Sequence, residues 1–167
     1  MATRILGIDP GSRVTGYGLI EIRGSSMVIV GHGGFRPPPK STFPDRLLFV
    51  ADRLGELIEQ HAPAEAAVED LFHAVNARSA LQLAHLRGAI LLELVRRRLP
   101  LFAYAPRAVK KALTGSGGAG KDQVRAMVER LLRVRLGDRE EDVSDALAVA
   151  ICHAHSRRAL SSRAGRR

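Results

Sequence analysis

The opening of the chain constrains its fold more than any other stretch. Arg4-Ile5-Leu6-Gly7-Ile8-Asp9 is a short apolar run that ends on an acid and the turn Pro10-Gly11. A run of this length bounded by Pro and Gly reads as a buried strand. Val14 to Ile22, with Gly16 and Gly18 beside Tyr17 and Leu19, reads as a second strand. Gly24-Ser25-Ser26 is then a hairpin turn into a third, Met27 to Val30. After the loop Arg36-Pro37-Pro38-Pro39 the rhythm changes, and Leu47, Leu48, Val50, Ala51, Leu54, Leu57 and Ile58 fall at helical spacing between Pro44 and His61. Ala66 to Glu69 is a buried-type strand, and Asn76 caps a helix through Leu83, Leu86, Ile90, Leu91 and Leu94. That helix ends in Arg96-Arg97-Arg98, which complements its dipole. Leu101 to Tyr104 is another strand, followed by helices over 107–113, 121–135 and 141–156. Three hairpin-connected strands, then two that alternate with helices, predict an α/β domain with a five-stranded mixed sheet flanked by helices.

Composition excludes several classes. The 167 residues suit one domain, and an apolar fraction of 46% is too high for a chain disordered throughout. No run approaches the roughly 18 apolar residues of a membrane span. Arg4 and Asp9 interrupt the segment where a signal peptide needs an apolar stretch. Cys152 is the sole cysteine, so neither an internal disulfide nor a Cys-rich zinc site can form. A cytoplasmic protein without a membrane partner is the expectation, with a globular domain over 1–156 and a basic, disordered tail over 157–167.

The net charge of +9 is unevenly spread. Residues 1–95 carry −1, residues 96–135 carry +9, residues 136–145 carry −4, and the remainder carries +5. A basic band beside clustered acids suggests a polyanionic partner and a site that needs carboxylates.

Four acids stand out. Asp9 and Glu69 each end a strand, and open α/β sheets place their sites beyond the carboxyl ends of strands. Asp142 and Asp145 lie three apart near a helix start, which puts them on one face, while Ala146, Leu147, Ala150 and Ile151 supply its core stripe. Singly, Asp9 suits a turn, Glu69 a solvated strand end, and the helix acids a favourable place on the dipole. Together they repel unless a cation neutralises them. Hard oxygen donors point to Mg²⁺, with Mn²⁺ as a substitute, and not to zinc. Two such ions about 3.5–4 Å apart can clamp the attacking and leaving oxygens of a phosphodiester.

Other signals are decoys or stay open. Gly115-Ser116-Gly117-Gly118-Ala119-Gly120-Lys121 approaches a P-loop, but Asp122 follows where Ser or Thr is needed. The glycine pattern around Asp9-Pro10-Gly11 also resembles the phosphate loop of actin-like ATPases and sugar kinases. Those need two such domains, more than this chain supplies. His153 reads as a partly buried helix residue or a group behind Asp145, Cys152 as a small core residue, and Phe72 as either core or ligand-facing.

The run Leu6-Gly7-Ile8-Asp9-Pro10-Gly11-Ser12-Arg13-Val14-Thr15-Gly16-Tyr17-Gly18 resembles the opening of the RuvC family, the bacterial Holliday junction resolvases or crossover junction endodeoxyribonucleases. Val68-Glu69-Asp70-Leu71-Phe72, Ala80-Leu81-Gln82-Leu83 through Arg87-Gly88, and Asp142-Val143-Ser144-Asp145-Ala146-Leu147-Ala148 agree in order. The resemblance implies an RNase H-like fold and a homodimer that nicks two strands of a four-way DNA junction symmetrically during recombination and repair. It implies hydrolysis to 5′-phosphate and 3′-hydroxyl ends with two Mg²⁺ ions per site, and the RuvA–RuvB branch-migration complex as partner. The family's metal-binding acids fall on Asp9, Glu69, Asp142 and Asp145, and its basic residues at the scissile phosphate on Lys121 and on Lys110 or Lys111. Phe72 matches an aromatic that stacks on a junction base. Two readings stay beside this one: an RNase H-like nuclease for RNA or ordinary duplex, and a junction-binding module without catalysis.

Overall fold

A computed structural model describes residues 2–70, 76–137 and 140–164, with side chains as far as Arg157. The strands β1 (Thr3–Asp9), β2 (Thr15–Arg23) and β3 (Ser26–Phe35) form an antiparallel meander. Helix α1 (Phe43–His61) leads to β4 (Glu65–Glu69), and α2 (Ala77–Arg96) leads to β5 (Leu101–Tyr104). Each of these later strands joins the sheet parallel to its neighbour, giving the order β3-β2-β1-β4-β5. Helices α3 (Pro106–Thr114), α4 (Lys121–Leu132) and α5 (Glu141–Ala164) complete the chain. The five-stranded mixed sheet is thus present, flanked on both faces.

Local chemistry explains the boundaries. The Thr42 side chain caps α1 by accepting from Asp45 N–H. Asn76 caps α2 as its sequence position suggested, accepting from Ser79 N–H at 2.9 Å. Helix α4 stops at Leu132, earlier than the expected 135, because Arg133 turns into the left-handed region (φ 55°) and its N–H closes on Glu129 C=O. Strand β3 runs on through Gly31 to Phe35, because the glycine-rich segment still pairs with β2 and does not end the strand.

The helix expected to end near 156, with a disordered tail beyond, continues to Ala164. No Gly or Pro interrupts that stretch, and Arg, Ala and Leu are good helix formers. Arg157 also pairs with Glu65 at 2.7 Å, which ties this turn to the start of β4.

Two apolar layers sandwich the sheet. One packs Leu6, Ile8 and Leu19 against Leu54, Ile90 and Leu94 of α1 and α2. The other packs Ile5, Ile20 and Ala67 against α3, α4 and α5. Residues 146–154 of α5 are buried on every side, since this helix lies between the sheet and α3 and α4. Its closeness to the sheet depends on glycine. A Cβ on Gly7 would meet Ala146 C=O at 2.1 Å, and one on Gly16 would meet Asp142 C=O at 2.0 Å. These two positions let α5 approach the ends of β1 and β2 and carry its acids toward Asp9.

Candidate active site

Asp9 and Glu69 stand at the carboxyl ends of adjacent parallel strands, where β1 and β4 pair through Ile8 and Val68. Their carboxyls share a hydrogen bond in which Asp9 donates and Glu69 accepts. Burial, the charges of Glu69 and Asp145, that hydrogen bond and the charge of Asp142 push Asp9 up from the ordinary carboxylate range to about 8. Burial and the charge of Asp145 raise Glu69, partly offset by the bond from Asp9 and the cations Lys121 and Lys110. Asp145 is raised by burial above all; Lys121 opposes this, while Asp142 and Glu141 add to it. The charges of Glu69, Asp142 and Asp145 therefore reach Asp9, and that of Asp145 reaches Glu69. Asp142 enters through the first turn of α5, beside Gly11 and Gly16.

The four do not form a closed cage. Among the described residues, no three His, Cys, Asp or Glu side chains are arranged to ligate one ion. The arrangement is instead a hydrogen-bonded strand pair facing two helix acids.

The basic residues separate cleanly. Glu69, Asp145, Lys110 and Lys121 line one cleft of about 270 Å³. Lys121 Nζ lies 3.9 Å from Asp145 Oδ2 and 3.8 Å from Glu141 Oε2. Lys110 and Lys121 both act electrostatically on Glu69, whereas Lys111 is exposed on α3 and does not line the cleft. This favours the first of the two adjacent lysines. Gly120 is the N-cap of α4, and the glycine loop follows a helix, which removes the strand a P-loop would need. Phe72 lies outside the described residues.

His153 is buried, but not behind the acids. It hydrogen-bonds Tyr104 OH through Nδ1 and Glu65 Oε2 through Nε2, each at 2.7 Å, and Phe102 stacks on its ring. Cys152 is buried in the core, as its size suggested.

Two participants were missed. Glu141 shares Lys121 with Asp145. Arg87, on α2, hydrogen-bonds Asp70 Oδ1 through Nη2 and reaches Glu69 C=O through Nε at 3.4 Å. It thereby holds the strand end that presents Glu69. Its signal was an arginine four residues from half-buried Leu83 on an amphipathic helix, which ordinary solvation explained equally well.

The family model described as Crossover junction endodeoxyribonuclease RuvC matches residues 5–153. A crossover junction endodeoxyribonuclease RuvC of Maricaulis maris is 47% identical over 161 residues, covering 96% of each chain. One from Halorhodospira halophila is 50% identical, covering 94% of this chain and 93% of the relative. Among solved structures, T. thermophilus RuvC in complex with Holliday junction substrate superposes with a TM-score of 0.87 at 29% identity, covering 93% of this chain and 95% of the other.

Proposed function

Because the chain belongs to the RuvC family of crossover junction endodeoxyribonucleases, we propose that it resolves four-way DNA junctions by symmetrical, metal-dependent nicking in recombination and repair. The observation that carries this reading is the convergence of Glu69 and Asp145 with Lys110 and Lys121 in one cleft, with Asp9 hydrogen-bonded to Glu69 beside it.

The donor set fits a hard divalent cation. It is all carboxylate, and burial together with neighbouring negative charge disfavours ionisation of Asp9, Glu69 and Asp145, which a cation would relieve. Asp9, Glu69, Asp142 and Asp145 would hold Mg²⁺ or Mn²⁺, two ions per site. Such ions, when bound, bring water into the neutral ionisation range and stabilise charge on the attacking and leaving oxygens. The protein's own part is positional and electrostatic. The ends of β1 and β4 fix Asp9 and Glu69, and α5 fixes the other two acids. Lys121 and Lys110 face the phosphate and offset its charge as it rises. Water's oxygen joins phosphorus and the P–O3′ bond breaks, leaving 5′-phosphate and 3′-hydroxyl ends. Phe72, two residues beyond Asp70, is assigned to stacking on an unpaired junction base.

Symmetrical cutting needs two copies, and α2 offers a face for pairing. Leu81, Leu92 and Val95 are each about 60% exposed. They recur with Gly88 at positions that share one helix face, and nothing lies within 4 Å of a Cβ at Gly88. A stripe of this kind suits helix-against-helix contact in a homodimer. The RuvA–RuvB branch-migration complex is the partner that family membership points to. A cytoplasmic location accords with this DNA-processing role, and among the described residues no helix is long and apolar enough to cross a membrane.

The deciding experiment compares cleavage of a four-way junction, linear duplex and RNA–DNA hybrid in Mg²⁺. The junction should be cut strongly and the others weakly. Asp9→Asn and Asp145→Asn should keep junction binding and lose cleavage. Equal cutting of all three substrates would overturn the junction assignment, and cleavage by either variant would overturn the carboxylate roles.

A further inference from the structure

A second cavity lies away from the lysine-lined cleft. It holds about 410 Å³ and opens between the turn after β1, the loop before α1, and helices α1 and α2. Val50 and Leu86 line its buried side, while Ser12, Arg13, Ser41, Arg46 and Gln82 supply its polar groups. No acidic side chain lines it, which is unusual beside a site built of four acids. Gly11 joins the two regions: it lines the cavity, and a Cβ placed on it would lie 3.8 Å from Asp142 Oδ1.

The two arginines differ in a telling way. Arg46 spends Nε on Ser41 C=O at 3.3 Å and Nη2 on Pro39 C=O at 3.4 Å, so it is fixed in place with Nη1 left over. Arg13 is exposed and makes no hydrogen bond or ion pair among the described residues. One guanidinium held by carbonyls and one left unpartnered, with two serines and no carboxylate in the same lining, suit a phosphate oxygen.

We propose that this cavity is a phosphate subsite that takes a backbone phosphodiester of the strand being cut, a few nucleotides from the scissile bond, with Arg13 as its principal cation. The assignment rests on the endonuclease reading and deepens it. The cleft of Lys110 and Lys121 grips the reacting phosphate, and the arginine cavity holds the same strand beyond the Gly11 turn. Gripping a strand on both sides of the bond fixes its direction through the acids, and this orients the bond for attack.

The test measures junction binding in the Asp9→Asn background, which binds without cutting, across a range of salt. Adding Arg13→Gln should weaken binding about tenfold and lower the salt slope by about one phosphate contact. Arg13→Lys keeps the charge and should restore most of the slope. Junctions carrying a single neutral methylphosphonate at successive positions near the cut then locate the contact. One position should weaken the Arg13 protein and cost the Arg13→Gln protein nothing further. Arg13→Gln should leave the melting temperature unchanged, because the side chain is exposed and unpartnered. Unaltered binding and slope in Arg13→Gln, or neutral phosphates that cost both proteins equally at every position, would overturn the subsite. Failure of the unsubstituted protein to cut an unmodified junction would instead overturn the endonuclease reading.

Discussion

Removing the charge of Asp9 should stabilise the metal-free protein while abolishing its activity. A carboxyl that ordinarily ionises near 3.8 holds its proton up to about 8 in the folded chain. The folded state therefore binds more protons than the unfolded state between those limits, and stability falls as pH rises through them. At pH 7 the part of this displacement that lies below that pH corresponds to about 4 kcal/mol. The cleft is open to water and counterions, so about half of that, ~2 kcal/mol, is the expected gain for Asp9→Asn. For a chain of this size that is a rise of roughly 4–8 °C in melting temperature. The assay is thermal unfolding in chelator at about pH 5, 7 and 8.5. Wild type should lose stability across the series, Asp9→Asn should lose much less, and the two should approach each other at the acid end. Saturating Mg²⁺ should raise wild type at pH 8.5 far more than the variant, because bound cation relieves the same repulsion. A wild-type melting temperature independent of pH in chelator, or a variant no more stable than wild type near pH 8, would refute the argument.

Three further outcomes follow from the packing. Arg87→Met should weaken Mg²⁺ binding by about tenfold in calorimetry, because it frees the strand end that carries Glu69, with Arg87→Lys recovering part of the loss. Gly16→Ala should cost about 1–3 kcal/mol in denaturant unfolding and sharply reduce cleavage, since its methyl meets Asp142 C=O and pushes away the first turn of α5. Leu92→Glu should shift the protein from dimer to monomer in light scattering and replace paired nicks with single ones, at little cost in stability because the side chain is 61% exposed.

The sequence spoke most clearly where a residue had one physical role. Asp9 ends an apolar run at a turn, and no folded arrangement of β1 could hide that acid far from the strand's carboxyl end. Glu69 was readable on the same ground, and Asn76 as a cap because its side chain is suited to little else there. Residues with two roles were harder. The stripe Ala146, Leu147, Ala150 and Ile151 suggested one buried face, but residues 146–154 are enclosed on all sides, and the alanines read as neutral filler until the sheet and α3 are in place. Gly7 and Gly16 looked like strand glycines, and only the approach of α5 shows what a methyl would strike. Arg13 was legible as part of a family motif but not as a contact, since its cavity is assembled from loops far apart in the chain.

The same limit applies to charge. The +9 over residues 96–135 suggested one basic surface, yet its cations do different work. Arg97 pairs with Glu59 and Glu93 and clamps α2 to α1. Arg125 holds the carbonyls of Leu136 and Gly137. Lys121 and Lys110 line the acidic cleft, and Lys111, adjacent in sequence, does not. Arg13 and Arg46, by contrast, come from the part of the chain whose net charge is −1. A polyanion approaching this protein meets cations selected by the fold from both the basic and the balanced regions. The salt dependence of junction binding should therefore follow the cations that line the two clefts and not those that clamp one helix to another, so removing Arg97 should leave it unchanged while removing Arg13 lowers it.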